Sequence, residues 1–214
     1  MLNRKFILCT LLLVTFSLQA QEAKRITYGV KAGLNLASFL NEEPIKEKSA
    51  RLGLTGGGFI NFAVNEQWAI QVEALYTMKG TRIPEQSFGG IHVPASTAVL
   101  DYVEFPALAR LKFGHFGPAK FVLISGVSLA YLVRSKLVIE DAGRFGERAE
   151  IEYGDFVQET ETSFIIGIGL TMSKRFSLEA RYSFGLTRAF NADSEDPDFD
   201  DKNRVFSLVV AMVL

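Results

Sequence analysis

Along most of the chain apolar side chains fall at every second position, and the positions between them are small or polar. Such a period of two marks a β-strand with two unlike faces, because successive side chains point to opposite sides of the pleat. Eight stretches carry the pattern: Ile26 to Ala37, Arg51 to Val64, Gln67 to Lys79, Val99 to Phe113, Lys120 to Arg134, Thr162 to Met172, Arg175 to Thr187 and Asn203 to Leu214. The seventh is the sharpest. Phe176, Leu178, Ala180, Tyr182, Phe184 and Leu186 alternate with Ser177, Glu179, Arg181, Ser183 and Gly185. In the third, Trp68, Ile70, Val72, Ala74, Tyr76 and Met78 alternate with Gln71, Glu73, Thr77 and Lys79. The fifth is apolar on both faces and has no readable orientation. The fourth holds Pro106, which cannot donate to a ladder.

The links between stretches alternate in length. Asn65-Glu66, Gly114 to Ala119 and Ser173-Lys174 are short, whereas Ser38 to Ala50, Gly80 to Ala98, Ser135 to Glu161 and Arg188 to Lys202 are long and polar. Alternating segments of about ten residues, with short turns on one side and long loops on the other, match a tilted membrane barrel. The expected fold is therefore all-β: an eight-stranded antiparallel up-and-down transmembrane β-barrel.

A soluble barrel with its apolar face inward gives the same alternation. The composition of the other face separates the two. It is mostly Gly, Ser, Thr, Ala and Asn, with few charges, where a solvated face would be rich in Lys and Glu. Small residues suit the narrow lumen of an eight-stranded barrel. Glu73, Glu104, Arg110, Glu179 and Arg181 then point inward, where a salt-bridge network is their expected role. Slipping the seventh strand by one residue would turn Glu179 and Arg181 to lipid, at about 2–4 kcal/mol for a midplane arginine alone. Tyr28, Phe62, Trp68, Phe113 and Phe176 near the short turns, and Tyr76, Phe164, Phe184 and Phe206 toward the other ends, read as two aromatic girdles.

Composition sharpens this picture. Hydrophobic residues are 48% of the 214, yet beyond residue 20 no uncharged apolar run is long enough for a membrane helix. Residues 1–20 read as a cleaved signal peptide: basic Arg4 and Lys5, apolar Phe6 to Leu18, then Leu18-Gln19-Ala20 at the cut. Leu18 is large for its place, so the cut lies within a few residues of 20. The remainder, 21–214, is the barrel domain. It retains 21 basic against 24 acidic residues, a net charge of −3, and has no basic patch of the kind nucleic acid requires. Cys9, the sole cysteine, lies in the leader, so disulfides and cysteine-based sites are excluded.

Three motifs carry a family resemblance. Tyr28-Gly29-Val30-Lys31-Ala32-Gly33-Leu34-Asn35, Tyr102-Val103-Glu104-Phe105-Pro106-Ala107-Leu108 and Glu179-Ala180-Arg181-Tyr182-Ser183-Phe184-Gly185-Leu186-Thr187 resemble, in order, the first, fourth and seventh strands of the PorT-type outer-membrane barrels of the Bacteroidetes. That resemblance implies the barrel fold and an outer-membrane location; the alternation of loop lengths sets both termini in the periplasm. The resemblance also accommodates Pro106. Of activity it implies little, beyond one member's link to protein secretion and gliding. Leu214 departs from the aromatic end that many such barrels present for assembly.

Little in the sequence points to chemistry. His92 belongs to a long link and His115 to a short turn, on opposite membrane sides, so they share no metal site or triad. Nothing in the sequence fixes a pairing of His92 with Ser87 or Ser96, and the solvated loop is the favoured reading. Asp193, Glu195, Asp196, Asp198, Asp200 and Asp201 crowd one link; their spacing fits no familiar calcium loop, and a solvated acidic tip is favoured over a Ca²⁺ or Mg²⁺ site. No catalytic, cofactor-binding or metal-binding residue set is assigned. The expected role is non-enzymatic: a monomeric structural or surface-interaction barrel in contact with outer-membrane lipid, lipopolysaccharide and surface proteins. The alternatives are an accessory subunit of a secretion or gliding apparatus and, third, a small pore.

Overall fold

The computed structural model describes residues 26–39, 49–88, 91–139, 149–152, 157–188 and 202–214. The expected leader and the acidic link at 193–201 lie outside them. The described chain is all strand and turn. In order, the strands are β1 (Ile26–Phe39), β2 (Ser49–Ala63), β3 (Trp68–Ile83), β4 (Gln86–Phe88), β5 (Ile91–Val93), β6 (Ser96–Phe116), β7 (Ala119–Ile139), β8 (Ala149–Glu152), β9 (Thr160–Thr171), β10 (Phe176–Gly185) and β11 (Asn203–Val213). Eight of these form the barrel, in the order β6-β3-β2-β1-β11-β10-β9-β7, and β6 pairs with β7 to close it. Every pairing is antiparallel, including β1 with β11 from Gly29↔Val213 to Phe39↔Asn203. Closure leaves no sheet edge within the ring, the condition for strands to cross hydrocarbon.

The expected faces hold. Leu34, Leu54, Val72, Phe105, Ile168, Phe206 and Val210 all stand exposed on the outside, while Glu73, Glu104, Arg110, Glu179 and Arg181 are buried inside. Strand β7 acquires an orientation: Leu123, Val127, Leu129, Tyr131 and Val133 face outward and Val122, Ile124, Ser128 and Ala130 inward. Its double apolar character follows from the lumen, which is less uniformly small and polar than expected. Leu108, Val122, Ile124 and Ile165 form one buried apolar cluster, and Leu100, Tyr102, Ala130 and Val157 another. Inward side chains of this size fill the bore directly.

Pro106 sits where the β3–β6 ladder is interrupted. The pairing runs Val72↔Ala107 and resumes at Leu75↔Glu104 in the same register. The missing N–H is thus absorbed by a two-residue gap, while Pro106↔Ser128 is kept toward β7. The short link between β6 and β7 is tighter than expected, only Gly117-Pro118 between the register partners Phe116 and Ala119. Gly117 has a φ of 58°, the left-handed value that the first position of a type II′ hairpin turn requires and that glycine adopts without penalty.

The aromatic girdles appear at both ends of the band. Phe62, Trp68, Phe113 and Phe176 are exposed near the short turns, with the Phe113 and Phe121 rings stacked 5.9 Å apart. Near the other end Phe164 stacks on Phe184 at 5.8 Å. There the apolar band gives way to Asp101, which accepts a 2.9 Å hydrogen bond from the Tyr76 hydroxyl and lies 3.8 Å from Arg51 and 3.9 Å from Arg134. Beyond this group the walls continue. Lys79–Ile83 of β3 pairs with Ser96–Leu100 of β6, that segment with Ser135–Ile139 of β7, and β7 with β8. Two of the long links therefore contain more strand than expected: β4 and β5 make a small hairpin, and β8 adds a fourth strand to the projecting sheet.

Candidate functional site

The lumen collects the polar side chains that could carry function, and parity alone brings them there. Lys31 lies between outward Val30 and Ala32 on β1, Glu73 between Val72 and Ala74 on β3, and Glu179 and Arg181 flank outward-facing Ala180 on β10. β3 and β10 are four strands apart in a ring of eight, so they face each other across the bore. The four residues meet in the middle as a closed ring of alternating charge. Lys31 Nζ contacts Glu73 at 2.9 Å and Glu179 at 2.8 Å, and Arg181 contacts Glu73 at 2.7 Å and Glu179 at 2.5 Å. Arg181 binds Glu73 through both terminal nitrogens, the bidentate arrangement that gives guanidinium–carboxylate pairs their directionality. Arg110 adds a contact to Glu179 at 2.9 Å, and the Gln71 side chain links Arg110 to Glu73. Lys31 also lies 5.2 Å from the Phe59 ring. That ring packs over Gly29, where a Cβ would come within 2.7 Å of it.

A second network lies nearer the projecting sheet. Lys79 Nζ contacts Glu104 at 3.2 Å and Glu161 at 3.1 Å, and stands 5.1 Å from the Tyr102 ring. Asn203 donates to Glu161 at 2.6 Å. Between the two levels, Thr55 and Thr77 hydroxyls are 3.1 Å apart and Asn35 donates to the Leu54 carbonyl at 3.3 Å. Together the two networks balance Lys31, Lys79, Arg110 and Arg181 against Glu73, Glu104, Glu161 and Glu179. Buried charges persist only when paired and hydrogen-bonded in this way. All five charges assigned inward from sequence belong to these networks. The sequence pattern does not single out Lys31, Lys79, Glu161, Tyr102 or Asn203 for these networks. The parity of Lys31 was readable, but Glu161 was assigned to a link because β9 starts at Thr160, two residues earlier than expected.

Below the first network the bore widens into a vestibule of about 630 Å³ at the short-turn end. Arg110, Lys112, Lys120, Lys174 and Arg175 line it, and among the described residues no carboxylate does.

The histidines stay apart. His92 is in the β4–β5 hairpin at the far end of the barrel from His115, which pairs with Lys120 beside the Gly117 turn. The backbone sets Ser87 opposite His92, whereas Ser96 opens β6 beyond the hairpin. Among the described residues no group of three or more His, Cys, Asp or Glu side chains is placed to hold a metal ion.

Comparison with solved structures returns small outer-membrane barrels. The Ail attachment protein of Yersinia pestis is 10% identical, with 90% of this chain and all of that one covered, at a TM-score of 0.47. Neisserial surface protein A is 14% identical over 90% of this chain and 99% of that one, at 0.45. OprG of Pseudomonas aeruginosa is 9% identical over 88% and 91%, at 0.35. No curated protein sequence matches significantly. The family model for the outer membrane protein beta-barrel domain matches residues 19–191. With that match, and with a closed ring of eight strands banded by apolar side chains, the chain belongs to the outer membrane protein beta-barrel domain family and resides in the outer membrane.

Proposed function

We propose that the protein is a non-enzymatic anchor that holds a rigid sheet and its connecting loops above the outer membrane for contact with surface partners. The observation that carries this is the length of the walls. β6 and β7 have 21 residues each, where a tilted strand needs about 9–11 to cross. The excess is spent on one side, in the four-stranded sheet built from β3, β6, β7 and β8. With the short turns in the periplasm, as is usual for such barrels, that sheet faces outward from the cell. Exposed Arg134 at the foot of the sheet, and exposed Arg204 at the same end of β11 across the ring, suit the phosphates of lipopolysaccharide.

In this reading residues 1–20 are a cleaved leader, the barrel is a monomer and its charged lumen is a structural strut rather than a path for ions. The PorT-type resemblance favours a second reading, an accessory subunit of a secretion or gliding apparatus. Deleting the gene and measuring secreted protein, together with planar-bilayer recordings of the purified barrel, tests both. The anchor reading expects secretion at the parental level and no single-channel steps. Loss of secretion would favour the accessory subunit, and clear steps a pore.

A further inference from the structure

The vestibule at the periplasmic end has a charge pattern that the strut does not use. Of its five cations, Arg110 is buried and neutralised by Glu179. The other four, Lys112, Lys120, Lys174 and Arg175, have no carboxylate partner among the described residues. They come from separate elements: Lys112 from β6, Lys120 from β7, and Lys174 and Arg175 from the β9–β10 turn. Lys112 is half-buried, and the charges acting on it are those of Lys120 and Arg110, both positive. The chain as a whole is slightly acidic, so this is a local concentration of one sign. Like charges gathered in a recess repel each other, and low-dielectric walls focus their field on whatever enters. Thr27, Asn61 and Ser177 add neutral hydrogen-bonding groups to the lining, and Phe176 and Val213 add apolar surface.

The geometry points to this vestibule as a binding site for a small periplasmic polyanion, one bearing several phosphate or carboxylate groups. Its volume falls within the range of about 300–1,000 Å³ that small-molecule pockets occupy. Its floor is the Gln71–Arg110 pair, closed above by the first charge network, so a ligand enters and leaves from the periplasm alone. Four uncompensated cations match an anion of high charge better than a monovalent one. Each contact would be a charge-assisted hydrogen bond, the stronger class.

The site is independent of the surface-anchor role, since it lies at the opposite end of the barrel. The test is calorimetric titration of the purified barrel, held in uncharged detergent, with tripolyphosphate, and with citrate as a second probe. Saturable binding is expected, weakening as salt is raised. In Lys112→Gln/Lys120→Gln it is expected to weaken by about tenfold or more, the scale of two lost charge-assisted contacts. Lys174→Gln/Arg175→Gln, confined to an exposed turn, gives the same reading should the first pair disturb folding. Arg134→Gln, on the opposite membrane side, is expected to bind as the parent does. No binding by the parent, or equal affinity in parent and both double variants, would overturn the assignment. Repeating the titration in nanodiscs of phosphatidylcholine and of phosphatidylglycerol separates a soluble ligand from a lipid headgroup. Equal affinity supports the soluble ligand, and loss of binding in phosphatidylglycerol means that lipid phosphates fill the mouth.

Discussion

Glu179 touches three cations, Lys31, Arg181 and Arg110, and is itself fully buried. Removing its charge would leave Lys31 and Arg181 sharing Glu73 alone, and Arg110 without its carboxylate. Breaking a buried pair in this way costs about 3–5 kcal/mol, so Glu179→Gln should lower the urea midpoint of the barrel substantially. Heat-modifiable gel migration across a urea series would measure it. Glu66→Gln, in an exposed turn, should change stability by less than about 0.5 kcal/mol. Equal midpoints for the two variants would mean that the ring carries no stability. At this scale the inward direction of Glu73, Glu104, Arg110, Glu179 and Arg181 was legible, because alternation fixes the face of each residue. Their partners were not, since contacts across a bore depend on the stagger of strands that are far apart in sequence. Tyr102 shows a different limit. An aromatic residue at an inward position reads as a break in the pattern, yet it fills space beside Lys79 and Ala130.

Strand β7 was opaque because both its faces are apolar. It became readable only with its neighbours, Leu108 on β6 and Ile165 on β9, which supply the inward cluster that Val122 and Ile124 complete. The ends of β6 and β7 were set too short for a related reason. Above Asp101 the outward face no longer meets lipid, so the alternation stops, as in Leu137-Val138-Ile139, while the hydrogen-bonded ladder continues. The same distinction between faces predicts asymmetric tolerance within one element. Ile168 of β9 is 49% exposed on the lipid side. Ile168→Arg should cost about 2–4 kcal/mol in lipid-reconstituted barrel, the depth-dependent penalty of a midplane charge. Met172→Arg, at the short-turn end of the same face, should cost far less, about 0–1 kcal/mol near an interface. Equal costs at both sites, read from unfolding in liposomes, would contradict the placement of the band.

At the scale of the molecule, fold and membrane were legible almost in full, because loop length and face composition are global regularities that no single irregular residue hides. Sidedness can be tested directly. Cys9 is the only cysteine, so a barrel that begins after residue 20 offers no background thiol. Glu159→Cys, exposed beside the projecting sheet, should react with a membrane-impermeant maleimide on intact cells. Glu66→Cys, exposed in a short turn, should react only after lysis, and the reverse pattern would invert the barrel. One pairing has a further consequence. Around the ring, consecutive barrel strands pair with each other except at a single seam, where β1 meets β11. Each hairpin can therefore zip as its second strand is delivered, but the seam waits for the last. Until then the growing sheet has two raw edges, and every unpaired N–H and C=O along them resists entry into hydrocarbon. Assembly is thus gated by the arrival of Asn203–Val213. A chain lacking that strand should stall as an open, aggregation-prone sheet rather than insert as a smaller barrel.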